Sequence, residues 1–313
     1  MRIRLLLMAV SLLAACGAPA GIIASSPAAA ASGSCGTATA PPRYQHVIWI
    51  WMENRSYGDI IGNTSQVPYI NSLAARCGLA TDYHNTTHPS LPNYLAATSG
   101  LAQARLPVLS FADCSVSAIC HTSAPSIFGQ GETWKAYQES MPSNCDKSDS
   151  GEYAVRHNPP PYYTSLSGCT SRDVPFTQLA ADLAGNTLPT FSFITPNLTD
   201  DMHDGTIAQG DSWLSANVPT ILNSSEYASG TTALFITWDE GTGGSSGENC
   251  ATNTTDASCH VATLVISPST AAGSSSATLF NHYSLLGTAE QLLGLPALGQ
   301  AASTATMTSA FNL

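Results

Sequence analysis

The sequence predicts an α/β fold of three layers, in which a mainly parallel central sheet carries helices on both faces. Residues 46–52 form a continuous apolar, β-rich run, which is typical of a buried parallel strand. Further apolar runs alternate with helical patterns along the chain, as in a parallel sheet connected by helices. With 313 residues, 43% of them hydrophobic, the chain can bury a large core. We therefore expect one domain over residues 46–313, with two domains as the alternative.

The predicted elements follow in this order. Strands are expected at 46–52, 79–83, 190–195, 231–238 and 260–267, and helices at 68–77, 94–99, 211–222 and 283–294. Pro68 near the start of one helix and Gly100 just after another suit those boundaries. Residues 101–175 contain seven prolines and four cysteines, which predicts an irregular cap inserted into the domain.

Residues 1–31 read as an export signal followed by the start of a leader. Arg2 and Arg4 precede an apolar run at 5–15, and small residues follow it. This run is too short to span a bilayer as a stable helix. We therefore expect an exported protein without a transmembrane segment.

The mature N-terminus has two possible forms. Residues 13–17 resemble a bacterial lipobox in which Cys16 is lipidated, whereas residues 28–31 offer ordinary signal-peptidase sites. The protein is thus expected to be secreted, or held at the outer face of the membrane as a lipoprotein. Residues 32–45, rich in small residues and proline, predict a flexible leader.

The cysteine count also favours export. Without Cys16, eight cysteines remain, and an even number in a chain with a signal favours disulfides. The sequence alone leaves many pairings open, and our hypothesis is that neighbours pair. Those pairs are Cys35 with Cys77, Cys114 with Cys120, Cys145 with Cys169, and Cys250 with Cys259. A thiolate zinc site is the alternative, but the sequence contains no C-x-x-C pair.

The net charge of -11 limits the partners. Such a surface repels nucleic acid, so we expect no nucleic-acid partner. An anionic substrate would need a local positive centre. Because Lys135 and Lys147 are the only lysines, a bound cation is the economical source of that charge.

Several polar residues lie at predicted strand ends, where open α/β sheets bind their ligands. Glu53 follows the first strand, residues 197–203 follow the strand at 190–195, and Asp239 and Glu240 follow the strand at 231–238. Ser90 lies at the start of a helix, where main-chain N–H groups stabilise negative charge. From its local sequence, Ser90 fits a helix cap as well as a nucleophile.

Residues 88–100 resemble the nucleophile segment of phosphoesterases of the alkaline phosphatase superfamily. Within that superfamily, the sequence is most similar to the bacterial phosphoesterase family of acid phosphatases and phosphatidylcholine-type phospholipases C. The resemblance recurs in order at residues 46–56, 196–205, 237–241, 260–268 and 281–286. It covers roughly residues 46–295, and six ordered motifs together are specific.

The resemblance implies a metal site and a nucleophile. Its metal ligands would be Glu53, Asn54, Asp239 and Glu240, with Ser90 as a nucleophile that also contacts the metal. These oxygen donors suit a divalent Ca, Mg, Mn, Zn or Fe ion. We expect one ion, because Asn197 stands where relatives with two metals have Asp, and Glu240 where they have His.

The remaining site residues are also implied by the resemblance. Asn93 would donate to a phosphoryl oxygen, and His203 and His260 would act as catalytic histidines. On the substrate side we expect His88, His157 and Asp204, whereas His46 and His282 are assigned structural roles.

The expected function is acid-phosphatase-like hydrolysis of phosphomonoesters through a phosphoserine. The substrate would be a small phosphoester or a phospholipid. A phospholipase C or phosphodiesterase is one alternative, and a non-catalytic exported binding protein is another. The residues around Ser245 match the G-x-S-x-G pattern of serine esterases. That motif requires a helix after the serine, whereas loop-like residues follow Ser245, so we disfavour this alternative.

Overall fold

The computed structural model describes residues 34–103, 113–131 and 133–313. The predicted signal segment and Cys16 lie outside the described residues. The strands are β1 (His46–Met52), β2 (Gly78–Ala80), β3 (Tyr83–His84), β4 (Trp134–Gln138), β5 (Asp173–Pro175), β6 (Phe191–Thr195), β7 (Thr232–Trp238), β8 (Thr263–Ile266), β9 (Ser275–Ser276) and β10 (Phe280–Asn281). The α-helices are α1 (Tyr57–Ile60), α2 (Pro68–Arg76), α3 (Ser90–Ser99), α4 (Cys169–Arg172), α5 (Gln178–Ala184), α6 (Ile207–Leu222), α7 (Ser225–Ala228), α8 (His282–Leu293) and α9 (Thr308–Phe311).

The central sheet is mainly parallel and has β1 near its middle. Its strand order is β5-β4-β6-β1-β7-β8-β2-β9 across the described residues. β1 pairs in parallel with both β6 and β7, and β8 runs antiparallel to β7 and β2. Every side chain from Val47 to Met52 is at most 1% exposed. Since successive side chains point to opposite faces, both faces are covered, and the predicted α/β fold is confirmed.

The helices pack in pairs, α2 against α6 and α3 against α8. All ten residues of α3 are buried, so this helix lies inside the protein. It ends at Gly100, whose φ of 69° is left-handed. A side chain there would also lie 2.2 Å from the Leu298 carbonyl oxygen. Only glycine meets both conditions, as the sequence predicts for this helix end.

The expectation of a wholly irregular cap at residues 101–175 is wrong for two stretches. β4 lies between β5 and β6 in the central sheet and pairs in parallel with both. β4 is only five residues long and β5 only three. The partner of β4 in the sheet, β6, lies more than fifty residues later in the chain. Such non-local pairing leaves little signal in the local sequence.

The predicted strand at 79–83 is divided in the structure. Its first part is β2 in the central sheet, and its last residue lies in β3, which pairs with β10.

The described part of the predicted flexible leader is packed onto the domain. Cys35 forms a disulfide with Cys77, and the N–H groups of Thr37 and Ala38 both donate to the Pro268 carbonyl. Tyr44 is 2% exposed. The prediction of a flexible segment is therefore wrong for residues 34–45, because a disulfide and buried side chains fix what the composition alone would leave loose.

The hypothesis of neighbour pairing holds for all four disulfides. They join Cys35 to Cys77, Cys114 to Cys120, Cys145 to Cys169, and Cys250 to Cys259. Ser245 lies just before the loop closed by the last disulfide, and residues 246–256, which follow this serine directly, contain no helix, so the esterase interpretation fails. None of the helices among the described residues has the length and apolar character needed to cross a membrane.

Candidate active site

The ends of β1 and β7 bring two predicted site residues together. Met52 and Trp238 are register partners at the ends of these parallel strands, so Glu53 and Asp239 follow side by side. The Asp239 N–H donates to the Met52 carbonyl at 3.0 Å. The Asn54 N–H in turn donates to Asp239 Oδ1 at 3.1 Å. Both carboxyl groups therefore face the same edge of the sheet.

The N-terminus of α3 brings the predicted nucleophile to this edge. Ser90 Oγ donates to Glu53 Oε2 at 3.1 Å. Tyr94 lies one helical turn after Ser90 on the same face, and its hydroxyl donates to Glu53 Oε1. Ser90 thus lies within hydrogen-bonding distance of Glu53, beside Asp239, as the resemblance implies.

Four buried acids surround this point, namely Glu53, Asp201, Asp239 and Glu240. The first three are fully buried and Glu240 is 7% exposed. Burial raises the pKa of Asp239 to about 6. Burial, followed by repulsion from Asp239 and Asp201, also raises the pKa of Glu53 well above its usual range. Unpaired charges buried this closely are costly, so the cluster needs protons or a cation.

The hydrogen bonds favour the cation. Both oxygens of Glu53 accept from hydroxyl groups, as an ionised carboxylate does. Asp239 Oδ2 is buried and has no hydrogen-bond partner among the described residues. An ionised Glu53 and an unpartnered oxygen of Asp239, beside two further buried acids, suit a hard divalent ion. The residues present therefore fit the predicted metal.

Glu240 and Asn93 are hydrogen-bonded to each other next to the nucleophile. Asn93 Nδ2 donates to Glu240 Oε2 at 3.2 Å, and His88 Nδ1 lies 3.1 Å from the same oxygen. Asn93 Oδ1 accepts from the N–H groups of Thr86 and Thr87. Asn93 therefore fixes the loop that leads into α3. Its predicted bond to a phosphoryl oxygen stays a prediction, as do the roles of Glu240 as a ligand and His88 on the substrate side.

His157 lies between two of the acids. Its Nδ1 is 3.2 Å from Asp201 Oδ2, and its Nε2 is 3.4 Å from Glu53 Oε1. Burial lowers the pKa of His157 well below its usual value. When the neutral His157 ring donates its Nδ1 proton to Asp201, Nε2 carries a lone pair, and this lone pair faces Glu53. The prediction placed His157 on the substrate side, whereas its described contacts are with the acid cluster.

His203 is held from both sides of its ring. Nδ1 lies 2.7 Å from Asp204 Oδ1, and Nε2 lies 3.3 Å from Arg156 Nη2. Because a guanidinium only donates, Nε2 accepts and Nδ1 carries the proton. Potential ligand atoms of His203, His157 and Glu53 all lie within 4.8 Å of one another. This is the arrangement of a histidine oriented by a carboxylate at the edge of a reaction centre.

His260 lies in a different environment. Its Nε2 is 3.1 Å from the Thr81 carbonyl oxygen, and its ring stacks on Tyr57 at 4.3 Å and on His84 at 5.5 Å. None of these described contacts reaches the acid cluster, so its catalytic role stays a prediction. His282 supports the site, with Nε2 2.6 Å from the Asp239 carbonyl oxygen.

Sequence reasoning missed Asp201, Tyr94 and Arg156. In the sequence analysis, Asn197 stands where relatives with two metals have Asp. In the structure, Asn197 accepts from the Thr199 and Asp200 N–H groups and closes a turn. That turn delivers Asp201 to the site. The available signals were the three acids in residues 200–204 and the helical spacing of Ser90 and Tyr94.

Comparison with known proteins identifies the family. Residues 63–296 match the family described as the phosphoesterase family.

The chain belongs to the phosphoesterase family.

Two similar proteins narrow the chemistry of this phosphoesterase. Phosphatidylinositol-3-phosphatase of Mycobacterium tuberculosis is 34% identical over 269 residues, which cover 84% of this chain and 82% of that protein. Acid phosphatase of Aspergillus fumigatus is 28% identical over 80% of this chain. The chain spans only 55% of that fungal protein. The phosphoesterase is a phosphoric ester hydrolase.

Solved structures share its fold. An alkaline phosphatase superfamily protein from Vibrio parahaemolyticus has a TM-score of 0.55 at 13% identity and covers 89% of this chain and 74% of its own. A phosphonate monoester hydrolase from Silicibacter pomeroyi also has a TM-score of 0.55, at 10% identity, and covers 86% and 76%. At such identities the likeness shows the fold alone.

Proposed function

We propose that this phosphoesterase is an exported, metal-dependent phosphomonoesterase that forms a phosphoserine on Ser90. The observation that carries the proposal is the Ser90 hydroxyl at the start of α3, hydrogen-bonded to Glu53 inside a group of buried acids. A serine in that position has an acceptor for its proton and main-chain N–H groups for the developing charge.

The predicted ligands of one divalent ion are Glu53, Asn54, Ser90, Asp239 and Glu240. The buried acids and the unpartnered Asp239 Oδ2 support this assignment. When bound, the ion would favour the serine alkoxide and neutralise charge on the phosphoryl group.

The residues of the chain suit a two-step transfer. Ser90 Oγ bonds to phosphorus as the bond from phosphorus to the leaving oxygen breaks, and the hydroxyl proton passes to Glu53. For this step His203 is an imidazolium, protonated on both ring nitrogens: Nε2 leaves its contact with Arg156 and gives its proton to the leaving oxygen, while Nδ1 stays on Asp204, which orients the ring. Water then attacks phosphorus and returns a proton to His203. The Oγ–P bond breaks, and Ser90 recovers its proton from Glu53.

The substrate class follows from the relatives. The mycobacterial relative is named for a lipid phosphomonoester and the fungal relative for acid phosphatase activity. We therefore place phosphomonoesters, of small molecules or of a phospholipid headgroup, ahead of the diesters that a phospholipase C cleaves. The four disulfides support an oxidising compartment outside the cytosol. The mass of the mature N-terminus would show whether the protein is released or is anchored through a lipid on Cys16.

A panel of substrates tests the proposal. Hydrolysis of p-nitrophenyl phosphate, its bis-ester, phosphatidylinositol 3-phosphate and phosphatidylcholine is measured with and without a chelator, for wild type and Ser90→Ala. We expect the monoesters to be turned over fastest, and both the chelator and Ser90→Ala to reduce kcat by at least ~10³-fold. A rate that survives both treatments rejects the mechanism. Preferential cleavage of phosphatidylcholine would instead select the phospholipase C alternative.

A further inference from the structure

Asp113 places a carboxylate directly beside the nucleophile. Its Oδ1 accepts from the Leu91 N–H at 2.9 Å, and Leu91 follows Ser90 in the first turn of α3. Its Oδ2 lies 3.9 Å from Nε of Arg156. A helix N-terminus and a guanidinium are the two groups with which proteins most often bind anions. The Asp113 carboxylate therefore contacts both of these anion-binding groups.

The position is an unfavourable one for an acid. The negative charge of Asp113 is close enough to raise the pKa of Glu240, although burial of Glu240 and repulsion from Asp239 contribute more. Repulsion by the acid cluster would drive the carboxylate towards solvent. The hydrogen bond from the Leu91 N–H and the ion pair with Arg156 hold it in place, so this point accommodates a carboxylate despite the acids around it.

Arg156 links this oxyanion position to the catalytic histidine. Its Nη2 lies 3.3 Å from Nε2 of His203, the atom that would protonate the leaving group. Arg55 differs, because its described hydrogen bonds go to main-chain carbonyls of Asn54, Met202 and Gly205. Arg156 thus joins the anion beside Ser90 to the residue expected to act on the leaving oxygen.

We propose that Asp113 is an internal competitor for the phosphoryl group of the substrate, and that the Leu91 N–H and Arg156 bind phosphoryl oxygens once Asp113 moves aside. The inference rests on the proposed function, since it takes Ser90 as the nucleophile. Two oxygens of a phosphoryl group are spaced much like the two oxygens of a carboxylate, so one can replace the other. The Asp113 side chain is 28% exposed, which leaves it a route to solvent.

The test compares Asp113→Asn with wild type. The amide keeps the size of the side chain and removes the charge that competes for the two donors. We expect KM for p-nitrophenyl phosphate and the inhibition constant of inorganic phosphate to fall about tenfold, the scale of one charge-assisted hydrogen bond. Arg156→Gln should raise both values, and Arg156→Lys should recover part of the loss. Asp146→Asn is the matched control, because its side chain bonds only to Ser143 and Ser148 among the described contacts.

A double variant distinguishes competition from simple positioning. If Asp113 competes for Arg156, the gain from Asp113→Asn shrinks in the Arg156→Gln background. Unchanged or higher values of KM and the phosphate inhibition constant in folded Asp113→Asn would overturn the inference, since they would mean that Asp113 only positions Arg156. Thermal unfolding of each variant shows whether it is folded.

Phosphate binding to Ser90→Ala, measured by calorimetry with and without Asp113→Asn, separates this inference from the proposed function. Tighter binding in the double variant supports competition even if turnover survives Ser90→Ala. Equal binding overturns it even if Ser90 proves to be the nucleophile.

Discussion

The Ser90 hydroxyl lies 3.1 Å from Oε2 of Glu53, a residue 37 positions earlier in the chain. This hydrogen bond joins the first residue of α3 to the residue that follows β1. It places the hydroxyl among buried acids whose mutual repulsion an ion would relieve. Reactivity and stability at this site should therefore depend on the same groups.

Glu53→Gln should change stability in opposite directions with and without metal. The amide removes one buried negative charge, so the thermal unfolding temperature should rise in chelator, where the acids repel one another, and fall in the presence of the activating ion. We expect kcat to fall by ~10²- to 10³-fold. Differential scanning calorimetry in both buffers measures the first effect. The same shift in both would mean that Glu53 does not bind the ion.

His203→Gln should affect poor leaving groups most. An alkyl phosphate needs a proton on its leaving oxygen, whereas p-nitrophenolate leaves readily without one. We expect a loss of ~10²- to 10⁴-fold in kcat for glycerol phosphate and a much smaller one for p-nitrophenyl phosphate. Asp204→Asn should show the same preference with smaller losses. Equal losses on both substrates would assign His203 to binding alone.

The Cys35–Cys77 disulfide should stabilise the fold more than Cys114–Cys120. The first closes a separation of 42 residues and the second a separation of 6. Loop-closure entropy predicts about 4 kcal/mol for the longer loop and about 2 kcal/mol for the shorter one. Urea unfolding of the two paired Cys→Ala variants measures both. A larger loss for the short loop would show that contacts in the native state outweigh chain entropy.

Asp173 should make the fold less stable as the pH rises. Burial raises its pKa to about 8 from a usual value of 3.8, although Asn158 donates to it at 2.8 Å. Between these values the unfolded chain loses the proton while the folded chain keeps it, so the free energy of unfolding falls from pH 4 to pH 8. Each pKa unit is worth ~1.4 kcal/mol.

Asp173→Asn should remove this pH dependence. The stability of the variant relative to wild type should therefore increase by several kcal/mol between pH 4 and pH 8 in urea unfolding. Asp59→Asn, at an exposed carboxylate, is the control. A difference that stays constant with pH would show that Asp173 ionises in the folded protein as freely as in the unfolded chain.

Much of the site could be predicted because it depends on strand ends. Glu53 and Asp239 directly follow two apolar strands, and parallel neighbours place their ends at one edge of the sheet. Ser90 required the family resemblance, since a cap and a nucleophile have the same local sequence.

Other features depend on tertiary structure that local patterns do not encode. Asp201 reaches the site only because Asn197 closes a turn ahead of it. β4 is recognisable only beside β6, more than fifty residues later. Asn93 accepts from main-chain N–H groups of residues 86–87, which no local pattern indicates. Its expected contact with substrate stays a prediction.

Trapping the covalent intermediate tests the central claim most directly. The protein is mixed with a phosphomonoester in the presence of its activating ion, quenched in acid within one turnover, digested and analysed by mass spectrometry. We predict one added phosphate on Ser90, absent from Ser90→Ala and lost when a chelator is added first. Phosphate on another residue, or steady turnover by Ser90→Ala, would contradict it.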